Sequence, residues 1–140
     1  MSDCVFCQIL ASQLPSSRVY QDEQCTAFLD VQPVNPGHIL IVPNCHAAFL
    51  SELNAETGAQ MFRVAQRLGQ ALRQSGIRCE GINFFLADGE AAMQEVFHVH
   101  LHVFPRHRGD GFGLKFDSQY SQKPSRKELD AVAEQIRKAV

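Results

Sequence analysis

Between His98 and Phe104 the chain reads His-Val-His-Leu-His-Val-Phe, and this strict alternation narrows what the segment can become. Side chains on a β-strand point alternately to opposite faces. A strand over 97–104 therefore sets His98, His100 and His102 on one face, neighbours about 7 Å apart. Val99, Leu101 and Val103 face a core on the other side, and Pro105 stops the strand. The plain alternative is a polar strand face that happens to use histidine.

Around this strand the chain reads as one domain over 1–140. Its 140 residues, 45% hydrophobic and 20% charged, form an ordinary globular mixture that needs no disulfide staples. A net charge of −2 and the absence of a long Lys/Arg block argue against a nucleic-acid partner. No apolar run is long enough to span a bilayer, so no membrane partner is expected. The first residues lack a basic and then apolar leader, and five cysteines are an odd number. Both features suggest a reducing, cytoplasmic setting with free or metal-bound thiols.

Local patterns supply the remaining elements. Val5 to Leu10 reads as one or two helical turns. Val19-Tyr20 and Cys25 to Leu29 read as strands joined by a polar turn, and His38 to Val42 as a strand after the Pro33–Gly37 loop. Asn54 caps a long helix whose stripe is Met61, Val64, Ala65, Leu68, Ala71 and Leu72, with Gly76 as its stop. Ile82 to Leu86 is a further strand. Ser125 caps a last helix with Leu129, Val132, Ile136 and Val140 on one side. Strands, a long helix, more strands and a helix make an α+β fold with a mostly antiparallel sheet of about five strands.

Three imidazoles on one face permit two chemistries. Neutral imidazole is a nucleophile toward phosphorus near pH 7 and forms a phosphorus–nitrogen bond that water later breaks. Three imidazoles can equally hold a catalytic zinc and activate a water. Spacing alone leaves both open.

His98 to Phe104 resembles the signature of the histidine-triad (HIT) family of nucleotide hydrolases and transferases. Other segments are similar to that family in order along the chain: Cys4 to Cys7, Ala27 to Val31, Pro36 to Pro43, and Pro105 to Gly111. The likeness covers roughly the first 113 residues, and the last helix resembles the family only in kind. It implies a HIT-like fold and a nucleotidyl hydrolase or transferase that releases a nucleoside monophosphate from a purine nucleotide conjugate.

By the same resemblance His100 is the nucleophile and His102 its partner at the phosphate. His98 and His38 support the site. Asp30 binds the ribose hydroxyls, Phe28 and Val31 line the base pocket, and Gln94 stands beside the phosphate. On residue chemistry alone His38 and Asp30 read equally as strand-end residues, and Phe28 and Val31 as core. The sequence departs from the family at Met93 and Glu95, where glycine and a hydroxyl residue are common, and at Ala87. Methionine does not freely adopt positive φ, so the loop is expected to differ. Glu95 is expected to point outward, leaving its backbone N–H to the nucleotide. These departures motivate a further reading, a nucleotide-binding scaffold with negligible catalysis.

Cys4-x-x-Cys7 has the spacing of a metal knuckle, and His46 is a third candidate ligand. The resemblance implies a structural zinc held by Cys4, Cys7, His46 and His98, with Cys45 as a neighbour that could confuse the assignment. It also implies a homodimer, with the long helix and a strand at the interface.

Overall fold

A computed structural model describes residues 3–140. Five antiparallel strands form one sheet in the order β1-β2-β3-β5-β4. In chain order they are β1 (Arg18–Gln21), β2 (Cys25–Leu29), β3 (Ile39–Pro43), β4 (Gly81–Phe85) and β5 (Leu101–Arg106). The helices are α1 (Val5–Leu10), α2 (Ala55–Gln74) and α3 (Arg126–Ala139). The chain divides into two compact units, the first ending at Asp110 and the second running Gly111–Val140. The second contains α3, whose capping box joins Ser125 and Glu128 and none of whose residues is buried. Sheet and helices make the architecture α+β, as the pattern of elements predicts.

Alternation along the strands sorts their side chains. Cys25, Ala27, Ile39, Ile41, Leu101 and Val103 point to one face and pack with Met61, Val64, Ala65, Leu68 and Leu72 of α2. Phe28, Leu40 and Val42 point to the other face and pack with Phe6 of α1. The α2 stripe differs from expectation at one position: Ala71 is exposed and Gly69 is buried instead. A Cβ at Gly69 would meet Phe84 of β4 at 3.3 Å, so this position faces the sheet. α2 begins at Asn54, whose side chain accepts the Glu56 N–H, and stops before Gly76 at φ +84°.

The histidine segment departs from a strand over 97–104. β5 begins only at Leu101, so of the three imidazoles His102 alone lies on it. The reason is the loss of neighbours. β4 ends at Phe85 opposite His102, and the last β3 partner in this direction is Ile41, opposite Leu101. Before that point Val99 N–H donates to Ala47 C=O at 2.8 Å. The alternation survives without the ladder: Val99 still joins the α2-side core. At its other end β5 runs on to Arg106 through Pro105. There β3 pairing has already ended at Val103, and Pro105 has only Ile82 beside it.

Candidate active site and adjoining metal cluster

Four histidines gather on the α1 side of the sheet; a backbone partner places the proton on three of the rings, and His38 places it on His102. A carbonyl only accepts and an amide N–H only donates, so each contact decides one nitrogen.

His100 Nδ1 lies 2.8 Å from its neighbour's carbonyl, His98 O, and must carry the proton. His100 Nε2 is therefore a bare lone pair. His38 Nδ1 accepts the Val34 N–H at 3.0 Å, so its proton is on Nε2. That Nε2–H donates to His102 Nδ1 at 2.9 Å, which leaves the His102 proton on Nε2. The His100 and His102 rings are 4.9 Å apart, centre to centre. The site thus presents a nucleophilic nitrogen on one ring and an N–H donor on the next.

Burial disfavours the charged form of His38, His98 and His102. It lowers the pKa of His38 against the opposing pull of Asp30, and it lowers that of His98. His102 is pressed down to about 4 by burial and by its neighbours His100 and His38.

His98 is fully buried, and its Nε2–H donates to Pro43 C=O at 2.9 Å. Its Nδ1 lone pair turns away from His100 toward Cys4 Sγ at 3.4 Å, Cys7 Sγ at 3.6 Å and His46 Nδ1 at 3.2 Å. Cys7 Sγ and His46 Nδ1 are 3.5 Å apart. Zinc–sulfur and zinc–nitrogen bonds of usual length put tetrahedral ligands about 3.3–3.8 Å from one another, so the spacing fits. A metal-bound imidazole normally gives its other N–H to a fixed acceptor, and Pro43 supplies one. Burial and the facing Cys4 thiol push the Cys7 pKa up. Cys45 is exposed and lies outside this group.

Asp30, His38 and His102 form a second group close enough to share an ion. Its chemistry fits a proton better than a metal. His38 Nδ1 accepts from a backbone amide, so a metal at Nε2 would require the doubly deprotonated ring. Among the described residues no group that could hold a metal unites His98, His100 and His102.

The other anticipated residues are divided. Asp30 is partly exposed, with Oδ1 accepting the Gln32 N–H at 2.9 Å and Oδ2 3.6 Å from His38 Nε2. Val31 beside it is 97% exposed, whereas Phe28 is buried edge-on to Phe6. Gln94 is buried and spends its amide on the backbone. Its Nε2 donates to Ala48 C=O at 2.8 Å and Val96 C=O at 3.1 Å, and its Oε1 accepts Gly89 N–H at 2.7 Å. Glu95 is exposed, and Ala87 is buried. Met93 does adopt the left-handed conformation, φ +71°, and is 73% exposed. The loop thus keeps a glycine-like bend at a non-glycine residue.

Two residues at the site were not anticipated. Phe6 sets its ring edge-on to both His98 and His100, at 5.8 and 5.2 Å. Asn35, on the β2–β3 loop, is buried against β5, where its side chain donates to Pro105 C=O. Asn35 stands between two proline-containing steps that mark only a loop, and Phe6 reads simply as the apolar face of a short helix.

Comparison with known proteins bears on this arrangement. Residues 11–109 match the family model described as HIT domain. The protein named Protein hit of Bacillus subtilis is 40% identical over 112 residues, covering 79% of this chain and 77% of that one. Adenosine 5'-monophosphoramidase HNT1 of Saccharomyces cerevisiae is 36% identical over 111 residues, 79% and 66% of the two chains. A crystal structure of a HIT family member from Bacillus subtilis superposes with a TM-score of 0.89 at 34% identity, over 99% of this chain and 97% of that one. A zinc-bound histidine triad protein from Mycobacterium smegmatis superposes with a TM-score of 0.76 at 39% identity over 99% of both chains. By the family match and these identities, the chain belongs to the HIT domain family.

Proposed function

We propose that this protein cleaves nucleoside phosphoramidates, dinucleoside polyphosphates or related purine nucleotide conjugates through a nucleotidyl-His100 intermediate and releases a nucleoside monophosphate. The observation that carries the reading is the His100 Nδ1–H bond to His98 C=O, which leaves Nε2 bare. The activity named for the yeast relative, an adenosine 5'-monophosphoramidase, is of the same class.

In the first step His100 Nε2 attacks the α-phosphorus and forms a P–N bond. The bond from phosphorus to the leaving nitrogen or oxygen breaks, and its electron pair departs with that atom, which takes a proton from water. The His98 carbonyl steadies the positive charge that develops on the His100 ring. His102, neutral near pH 7, donates its Nε2–H to a phosphoryl or bridging oxygen. Water then attacks phosphorus, the P–N bond breaks, its electron pair returns to Nε2, and water's surplus proton goes to solvent. Asp30 accepts ribose hydroxyls beside the apolar Val31, over the Phe28–Phe6 pair. Gln94 acts by shaping the 87–96 loop, and Glu95 contributes through its backbone.

Cys4, Cys7, His46 and His98 hold a structural zinc in this reading. It supplies a cross-link and no reacting atom, since all four positions are protein ligands. The exposed Phe62, Phe84 and Phe85 beside the open edge of β4 suit a homodimer. Free thiols suit a reducing compartment such as the cytoplasm. No helix among the described residues is long and apolar enough to cross a membrane.

Replacing His100 by Ala or Asn should lower turnover of an adenosine phosphoramidate by several orders of magnitude while mononucleotide binding survives. Mass spectrometry of the quenched wild-type protein should find a nucleotidyl group on His100. Undiminished turnover in either variant would overturn the reading. The committed Gln94 amide and the carboxylate of Glu95 favour one second reading, a nucleotide-binding scaffold. Binding without measurable turnover by the wild type would select it.

A further inference from the structure

His102 takes its proton position from His38, and His38 takes it from the Val34 N–H. What holds Val34 in place lies outside the groups that meet a nucleotide. Asn35 and His38 are the ends of a tight turn closed by His38 N–H to Asn35 C=O at 3.1 Å, and Val34 immediately precedes it. The turn needs Gly37, at φ +100°, where a Cβ would press on Leu72, Ile77 and Pro105 at 3.1–3.3 Å. Asn35 fastens the turn to the end of β5. Its Nδ2 donates to Pro105 C=O and to Asp110 Oδ2, both at 2.9 Å.

Asp110 is itself anchored. Its carboxylate is 2% exposed and accepts a two-pronged pair from Arg106, 2.6 Å from Nε and 2.9 Å from Nη2. Arg106 Nη1 donates onward to Asn83 Oδ1 of β4 at 2.6 Å. A partly buried ion pair, which also takes the His107 N–H at 3.3 Å, thus reaches the Asn35 amide, and that amide grips the turn bearing the His38 proton switch.

We propose that Asp110 and Asn35 are positioning residues that hold the 34–38 turn so that both His38 and His102 keep their protons on Nε2. The physical basis is that neutral imidazole exchanges its two tautomers readily, and the hydrogen bond at one nitrogen selects the other. If the turn loosens and Val34 N–H withdraws, His38 Nδ1 is free to take the proton. Its bare Nε2 then faces His102 Nδ1 and requires a proton there. His102 Nε2 loses its hydrogen in turn, and the nucleotide's phosphate meets two lone pairs instead of a lone pair and a donor. One displaced amide flips two rings. Asp30 Oδ2, 3.6 Å from His38 Nε2, favours the original tautomer and makes the flip partial.

The consequence for rate rests on the proposed nucleotidyl chemistry; the proton positions do not. The test is long-range 1H–15N spectroscopy of histidine-labelled wild type, Asp110→Asn and Asn35→Ala near pH 7. Wild type should show His38 and His102 as Nε2–H tautomers. Each variant should show the Nδ1–H form rising in both rings together. Turnover number should fall on the order of tenfold to a hundredfold, with a smaller change in KM. Asp110→Asn preserves shape and decides the matter if Asn35→Ala does not fold. A folded variant with both rings unchanged, or with His38 changed alone, overturns the proposal. A wild type without turnover would fail the nucleotidyl reading and leave the spectra to judge the turn.

Discussion

Burial, reinforced by His100 and His38, presses the His102 pKa down to about 4 against the pull of Asp30. In the unfolded chain the same ring titrates near 6.5. Between these values the unfolded state binds a proton that the folded state refuses. Stability is therefore whole above about pH 6.5 and falls as pH drops toward 4, by about 1.4 kcal/mol per pH unit for this ring. His38 and His98 are shifted in the same direction and steepen the slope. Urea titrations at successive pH values should show the decline, and His102→Asn should flatten it. Equal slopes in the two proteins would contradict the assignment. Met93 offers a test on the other side of the site. Its left-handed backbone costs about 1–2 kcal/mol relative to glycine, so Met93→Gly should raise the urea midpoint. Residue identity made the triad legible, because its alternation shows which side chains share a face. It could not show that His98 turns its lone pair away from the reaction. That follows from Pro43 C=O, a backbone atom no motif displays. Gln94 was legible as a site residue but not as one whose amide is consumed by its own loop.

At the scale of elements, the β1–β2 turn shows how a polar side chain joins strands to the long helix. Asp22 Oδ1 accepts the N–H groups of Gln24 and Cys25 at 2.7 and 2.8 Å. Its Oδ2 accepts Tyr20 OH and Gln60 Nε2, both at 2.8 Å. Burial would raise the Asp22 pKa, but these donors, led by Gln60 and Cys25, outweigh it and hold the pKa well below the carboxylate norm. The carboxylate thus stabilises the fold above its unfolded pKa near 3.9, and the benefit fades as pH falls below that. Asp22→Ala strands several partly buried donors and should destabilise by about 2–3 kcal/mol, read as a lower urea midpoint at pH 7. At pH 2 the difference from wild type should shrink. Neither effect is visible in the sequence, where Asp22 is one of several polar turn residues. The elements themselves were legible wherever period and punctuation agreed: α2 between Asn54 and Gly76, and β2 in full. They failed at 97–100, where alternation persists and partner strands do not, and at Ala71, which helical spacing places on a stripe that Gly69 completes.

For the whole molecule two proposed partners can be tested. Edge strand β4 presents Phe84 beside Phe62 of α2; if the proposed homodimer uses this edge, Phe84→Glu should shift it toward monomer in light scattering. The second is the proposed zinc. Cys4 and Cys7 lie at the start of α1, His46 beyond β3, and His98 before β5, so one ion would cross-link segments 94 residues apart in sequence. The purified protein should carry about one zinc per chain. A ligand bound only by the folded state stabilises it by about 4 kcal/mol when its free concentration is 1,000 times Kd. The melting temperature should therefore climb with added zinc and drop in chelator. Cys7→Ser should abolish that dependence, whereas Cys45→Ser, whose exposed thiol is not in the cluster, should leave it intact. Activity should respond more gradually than metal content. The metal would act on the nucleophile only indirectly, through the His98 residue whose carbonyl accepts from His100 Nδ1 and through Phe6, which packs on both rings. Metal-depleted protein that is still folded should therefore keep measurable turnover. Complete loss of turnover with the fold intact would show that the metal acts in the reaction itself.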